Sequence, residues 1–401
     1  MRILSVSAQK PDSTGSGTYL TELVNNFKLL GHTQAVVAGI SIEDTADFPD
    51  GVSFYPVRYR TDALPFDVLG MSDSMPYKST CYKDLTPAMV NLFETAFLQQ
   101  MEIVIHQFKP DVILCHHLYL LTAIIRERFP EEKIFAISHG TDLRQLQKID
   151  LCNDRIKKNI ANLDHIFALH QNQKEEISKL YHVTEDKITV IGCGYNSGIF
   201  FDRCIAKDSP IKKIIYAGKI CEKKGVISLL KSLNLIYPHD SGFELYLAGG
   251  SGDVHEYNQI HTIAEQSKFP VTFLGKLSQQ ELAAQFNACD LFVLPSFFEG
   301  LPLVIIEALA CGLNVIATDL PGVQPWIADN IEDSAITFVA PPIMKHVDEP
   351  DETTLDMFEK RLSDAIFETI ITMRHSTKIA PKPNTQKAAW SEICKKILAV
   401  C

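Results

Sequence analysis

Residues 291–312 read LFVLPSFFEGLPLVIIEALACG. Leu291–Leu294 is a short apolar run that stops at Pro295, as a buried strand does. A loop carrying Glu299 and Gly300 follows, and Pro302 then opens a helix that runs to Ala310. Proline is tolerated in a first helical turn because the N–H it lacks has no intrahelical partner there. The N–H groups of Leu301, Leu303 and Val304 are then left for an anion such as a diphosphate. Gly300 lets a ligand come close to the backbone. Glu307 lies inside the helix among Ile305, Ile306, Ala308 and Leu309. A carboxylate in that company needs a partner, and the ribose hydroxyls of a nucleotide would provide one.

Outward from this stretch, short β-branched runs alternate with longer amphipathic ones, the pattern of parallel sheets built from βαβ units. Ahead of it we expect strands at 213–217, 243–248 and 271–274, with helices at 225–235, 255–266 and 280–288; a strand at 315–318 follows it. The first half repeats the logic, with strands at 3–7, 34–38, 111–115, 133–138 and near 165–168, and helices at 18–30 and 90–108. Apolar residues Phe358, Leu362, Ile366, Ile370 and Met373 give 355–373 a helical spacing. A last amphipathic helix is expected at 386–400, after a Pro-containing linker at 380–384. The chain's 401 residues suit two α/β domains. We place the first at 1–200 and the second at 201–379, with 380–401 packing back on the first. A polar hinge is expected at 202–210, and a loop at Pro341, Pro342 and the acidic run 348–352. Residues 61–87, rich in Pro, Ser, Asp and Tyr without a period, are read either as an acceptor-side lid or as a plain surface excursion.

Composition excludes several partners. A net charge of −11 argues against nucleic acid, which demands clustered Lys and Arg, and gives no support to docking on an anionic membrane. No apolar run reaches the length of a membrane span. The apolar run at the N-terminus is too short for a signal peptide and reads as a first strand. The ten cysteines lack metal spacing and sit in apolar contexts such as Cys115, Cys289 and Cys311, as reduced thiols of a cytoplasmic protein do.

Three further constellations point to chemistry. Tyr216-Ala217-Gly218-Lys219 ends a strand, and Glu222-Lys223-Lys224-Gly225 starts the next helix. Open α/β sheets hold ligands at that edge, and two cations beside a glycine turn suit a pyrophosphate. Ser13–Gly17 (STGSG) is read as a Gly-rich loop after the first strand, with Gly15 and Gly17. It lacks the third glycine of a dinucleotide fingerprint, which argues against a dehydrogenase. His139-Gly140-Thr141-Asp142 follows a strand ending at Ser138, and His116 and His117 end the strand before that one. The two histidines are read as touching an acceptor or as capping the strand. No carboxylate or cysteine shares their spacing, so no metal site follows.

Glu299 and Glu307, with seven residues between them, together with EGLPL and ALACGLNVIATDLPG, resemble the E-x7-E motif of retaining GT-B glycosyltransferases, in particular family 4. The resemblance is strong across 213–325, moderate across 111–200 and poor in 40–90. It implies a GT-B fold, with two Rossmann-like domains facing a cleft and a last helix crossing back to the first. It also implies transfer of a sugar from a nucleotide-diphosphate donor with retention, a UDP-sugar being the default because such donors are common. The acceptor stays unidentified. No metal or other cofactor is expected, since the DxD motif of metal-dependent enzymes is absent. Glu299 would contact sugar hydroxyls and Glu307 the ribose. Gly15 and Gly17 would close on the donor phosphate, and His139 would face the transferred sugar, with Thr141 and Asp142 beside it. Lys224 matches the family's lysine, whereas Lys219 stands where arginine is usual, a point charge in place of a fork. Lys276 and Leu277 resemble the strand end whose backbone reads the nucleobase. Residues 191–196 (IGCGYN) depart from the family's P-N-G-V-D. A front-face mechanism follows, with the leaving phosphate taking the acceptor proton. The same donor pocket would also serve a phosphorylase, an epimerase or a catalytically silent nucleotide-sugar sensor.

Overall fold

The computed structural model describes every residue except 12, 73–74, 206–208, 252, 347–348 and 376–381. Parts of the expected hinge at 202–210, of the 61–87 segment, of the acidic run at 348–352 and of the linker at 380–384 thus lie outside the described residues.

The chain divides into two compact units, one of residues 1–193 with 390–401 and the other of residues 194–389. The first crossover therefore comes earlier than the expected hinge. The reason is local: Arg203 N–H donates to Asn287 Oδ1 at 2.7 Å, and Asn287 Nδ2 donates to Phe201 O at 3.1 Å. These bonds tie 201–203 to the second unit.

The first unit begins with β1 (Arg2–Ser7), α1 (Gly15–Leu29), β2 (Thr33–Ser41) and β3 (Ser53–Tyr59). The two-residue strands β4 (Leu69–Gly70) and β5 (Thr80–Cys81) pair with each other, and α2 (Pro87–Phe108) follows. Next come β6 (Val112–His116), α3 (Leu120–Arg128), β7 (Ile134–Ile137), α4 (Thr141–Lys148), α5 (Asn153–Ile160), β8 (His165–Ala168), α6 (Gln171–Tyr181) and β9 (Ile188–Val190). Seven strands form one parallel sheet in the order β3-β2-β1-β6-β7-β8-β9. Runs such as Val112–Cys115 and Ile134–Ile137 are buried throughout, as strands covered on both faces must be. The 61–87 segment is not a free lid: Leu64, Val68, Leu69, Met71, Tyr82 and Leu85 are buried in the core of this unit.

The second unit holds β10 (Lys212–Ala217), α7 (Val226–Ile236), β11 (Phe243–Ala248), α8 (Val254–Glu265), β12 (Val271–Gly275), α9 (Gln279–Ala288), β13 (Leu291–Leu294), α10 (Leu303–Ala310), β14 (Asn314–Thr318), α11 (Val323–Asn330) and β15 (Ile336–Val339). A small antiparallel pair, β16 (Met344–His346) and β17 (Glu349–Pro350), precedes α12 (Leu355–His375). Its six-stranded parallel sheet runs β12-β11-β10-β13-β14-β15. α12 buries Phe358, Leu362, Ile366 and Ile370, the stripe its sequence spacing predicts, and packs on α7.

The last helix, α13 (Trp390–Leu398), is shorter than expected and belongs to the first unit, where it packs on α1. Trp390 is its anchor, edge-on to Tyr19 with ring centroids 4.7 Å apart. Burying an indole of about 200 Å² contributes on the order of 5 kcal/mol of transfer free energy.

Each sheet has one position where the strand order reverses. In the first unit β1 lies between β2 and β6, and in the second β10 lies between β11 and β13. Helices leave to opposite faces on either side of such a point, opening a crevice at the carboxyl ends of the strands.

Candidate functional site

In the second unit, the strand ends at the reversal point carry the two constellations read from sequence. Gly218 and Lys219 follow β10, and Pro295–Gly300 follow β13. Four contacts join them. Phe297 N–H donates to Lys223 O at 3.1 Å. A Cβ on Gly225, whose φ is +69°, would stand 2.0 Å from Pro295 O. Lys224 Nζ lies 2.7 Å from Glu299 Oε1 and also donates to Phe298 O at 3.3 Å. The pair is partly buried, the Lys224 side chain being 25% exposed and that of Glu299 17%.

A second glycine contact closes the other flank. Gly249 follows β11 with φ +141°, and a Cβ there would lie 1.8 Å from Gly218 O. Ile220 N–H donates to Gly250 O at 2.9 Å, and Tyr216 Oη–H to Lys219 O at 2.6 Å. The Gly218–Lys219 turn is thus held from two sides. Burial raises the Tyr216 phenol well above its usual range, so it stays a donor. Lys276 is exposed, its stem against Gly250, and Leu277 beside it is half-buried.

α10 starts one residue later than its sequence suggests. Pro302 is the cap residue (φ −74°, ψ 110°), it supplies no side-chain bond, and the helix begins at Leu303. Ile305 N–H reaches back to Pro302 O at 3.2 Å. The N–H groups of Leu303 and Val304 therefore precede the helical ladder and carry the positive end of the helix dipole. Leu301 is buried, Gly300 half-buried, and Glu307 is 8% exposed within α10. Two side chains the sequence reading missed belong to the same edge. The hydroxyls of Ser296, at the end of β13, and Thr318, at the end of β14, are buried without a hydrogen-bond partner among the described residues. Only their position at strand ends could have signalled them.

In the first unit, Gly15 and Gly17 do not form a loop. They lie in the first turn of α1, where Thr14 caps the helix and its Oγ1 accepts Gly17 N–H at 3.0 Å. The Thr18 start read from sequence was late because two glycines near a helix N-terminus look like a breaker. Ser16 Oγ donates to Gln9 Oε1 at 3.2 Å, tying that turn to the end of β1.

The three expected histidines come together at the ends of β6 and β7. His116 Nδ1 lies 3.1 Å from His139 Nε2. The His117 ring is 4.8 Å from that of His139, and Tyr19 is edge-on to His139 at 5.1 Å. His117 adopts φ +78°, a strained value for this residue. His116 and His117 are buried, whereas His139 is partly exposed. Thr141, at the start of α4, is also partly exposed. Asp142 is not: it is fully buried and braces the loop. Its carboxylate accepts from Leu118 N–H at 2.7 Å, Ser138 Oγ–H at 3.0 Å, Leu143 N–H at 3.1 Å and His139 N–H at 3.3 Å. Replacing Asp142 by Ala strands these donors, so urea unfolding should show a loss of about 2–4 kcal/mol.

Burial lowers the pKa of His116 to about 3, with His117 adding to the effect. Burial also lowers His117, against the opposing charge of Asp142, and holds His139 well below 6.5. The unfolded chain would bind protons at these positions from about pH 6.5 downward while the folded one does not. The stabilising contribution is therefore complete above pH 6.5 and is lost as pH falls toward 3. Urea midpoints should drop between pH 7 and pH 5, with a smaller drop in His116→Gln.

Among the described residues no group of three His, Cys, Asp or Glu side chains is placed to hold a metal ion. Among them, too, no helix is long and apolar enough to cross a membrane. Among the described residues no disulfide joins any of the ten cysteines.

Comparison with known proteins agrees with this geometry. The family model described as Glycosyltransferase Family 4 matches residues 13–198, and that described as Glycosyl transferases group 1 matches 211–344, so most of each unit is matched. The chain belongs to the GT-B-type glycosyltransferases of family 4 and group 1. An uncharacterized glycosyltransferase of Methanocaldococcus jannaschii is 25% identical over 246 residues, 59% of this chain and 59% of that protein. A D-inositol 3-phosphate glycosyltransferase of Pseudarthrobacter chlorophenolicus is 35% identical over 169 residues, 40% of either chain. The chain thus spans less than two thirds of these relatives. Among solved structures, sucrose-phosphate synthase from Thermosynechococcus elongatus (17% identity) and Anabaena HepE in complex with UDP and glucose (15% identity) each superpose with a TM-score of 0.68. Each comparison covers 100% of this chain and 98% of the other. At such identity the likeness concerns the GT-B fold.

Proposed function

We propose that this GT-B family member transfers a glycosyl group, with retention and without a metal, from a nucleotide-diphosphate sugar to an acceptor bound by residues 1–193. The observation that carries the reading is the Lys224–Glu299 pair, set beside the start of α10 at the reversal point of the second sheet. A cation and two outward N–H groups favour a diphosphate there. Glu299 supplies acceptor oxygens for sugar hydroxyls, and buried Glu307 a partner for the ribose. We assign Lys276 and Leu277 to the base, Gly15 and Gly17 to a phosphate oxygen, and His139 with Thr141 to a sugar hydroxyl. The bound UDP of HepE makes uridine the first base to test.

In this reading the leaving phosphate takes the proton of the attacking acceptor hydroxyl as the glycosidic bond breaks. Lys219, Lys224 and the start of α10 stabilise the charge that grows on it. Glu299 is not assigned as a nucleophile, since its carboxylate is engaged by Lys224. Ten cysteines with no disulfide among the described residues favour a cytoplasmic setting. Incubating the protein with UDP-glucose, EDTA and a panel of sugar and polyol acceptors should release UDP in an acceptor-dependent way, with α-linked product. Acceptor-independent isomerisation, phosphorolysis only, or binding without turnover would each refute transfer.

A further inference from the structure

The His116–His139 contact fixes more than ring position. The two rings are within 10° of parallel, and their centroid separation of 5.3 Å is what a hydrogen bond running outward from Nδ1 of one ring to Nε2 of the other gives. A bond between two neutral imidazoles needs one N–H and one lone pair. In one arrangement His139 donates from Nε2, and His116 must then carry its proton on its own Nε2. In the other His116 donates from Nδ1, and the proton of His139 sits on Nδ1.

His116 Nε2 decides between them. It is buried and has no hydrogen-bond partner among the described residues. An orphaned buried N–H is rarer and more costly than an unused lone pair. His116 Nε2 is therefore the bare nitrogen and His116 Nδ1 the donor. We propose that His116 is a positioning residue that locks His139 in its Nδ1–H form, so that His139 offers substrate an N–H donor in place of a basic lone pair. The group it meets is then an oxygen acceptor, a sugar hydroxyl or phosphate oxygen, and His139 removes no proton from the acceptor. Neighbouring rings hold the arrangement: Tyr19 at 5.1 Å and His117 at 4.8 Å flank His139, and its backbone N–H is tied to Asp142. A flipped His139 ring would lose the bond to His116. The proposal rests on the reading that His139 faces substrate; the tautomer itself does not depend on turnover.

The test is long-range ¹H–¹⁵N correlation on histidine-labelled protein, with the His139 signals assigned by their loss in His139→Gln. The resting protein should show His139 as Nδ1–H; the Nε2–H form that a free side chain favours would overturn the proposal. In His116→Leu the His139 signals should shift to the Nε2–H form and kcat/KM should fall about tenfold or more. His116→Asn, whose amide can donate from near the Nδ1 position, should keep the Nδ1–H form and recover activity to within about threefold. Equal loss in the two variants, or an unchanged tautomer in His116→Leu, would also overturn it. The Nδ1–H form in a protein without turnover would support the lock and count against the transferase reading instead.

Discussion

Lys224→Met is expected to lower kcat by about 10²–10³-fold, the range seen when one preorganised charge-stabilising group is removed from a reacting centre. Lys224 Nζ is held at 2.7 Å by Glu299 and again by the carbonyl of Phe298, so its charge is in place before any donor arrives. Removing it has two effects of the same sign. The developing phosphate charge loses a cation, and the Glu299 carboxylate, 17% exposed, is left without its counterion beside that phosphate. Lys224→Arg keeps the charge in a different shape and should recover only part of the activity. Lys223→Met is the control: its backbone carbonyl still receives Phe297 N–H, and kcat should stay within about threefold. Steady-state kinetics on the three variants, with circular dichroism to confirm folding, checks this. Wild-type turnover in Lys224→Met would remove Lys224 from the site.

Gly225→Ala is expected to destabilise the second unit by about 3–5 kcal/mol, among the largest effects of a single methyl group. Two independent penalties meet at this residue. Its φ of +69° is a conformation that L side chains rarely adopt, and the new Cβ would stand 2.0 Å from Pro295 O. The obstacle is backbone at the end of β13, not a flexible side chain, so either the strand end or the Lys224 turn must move. Both belong to the candidate site, and nucleotide affinity should fall together with stability. Gly15→Ala, with nothing within 4 Å of the added Cβ, should be tolerated or mildly stabilising in urea unfolding. A Gly225→Ala protein as stable as wild type would contradict the packing described for this turn.

The parts of the protein legible in sequence were those where periodicity and chemistry agreed. β11, β13 and β8 were read at their observed limits because each is an apolar run bounded by a turn or a charge. The Glu299–Glu307 segment was legible because a proline, a glycine and a buried carboxylate each constrain it separately. Helices α3 to α6 carry no clear sequence signal, since they are short and three of them are polar overall. Their placement comes from tertiary packing, as where α3 and α5 pack on each other. The 61–87 segment misled for a related reason: Leu64, Val68, Leu69 and Tyr82 are buried without any repeating spacing. The histidines show the limit from the other side. Sequence placed His116, His117 and His139 at strand ends, whereas the hydrogen bond between two of them depends on β6 and β7 being neighbours. Asp142 looked like a ligand and is a brace, a difference that only burial reveals.

The central claim is that residues 194–389 hold a nucleotide-diphosphate site built around Lys224, Glu299, Glu307 and the start of α10. Calorimetric titration of UDP, GDP and ADP into the protein and into Glu307→Ala, in the presence of EDTA, tests it most directly. One of the three should bind saturably at one site per chain, and Glu307→Ala, folded by circular dichroism, should weaken it at least tenfold, about 1.4 kcal/mol. Absence of binding by all three, or equal affinity in the folded variant, would contradict the account.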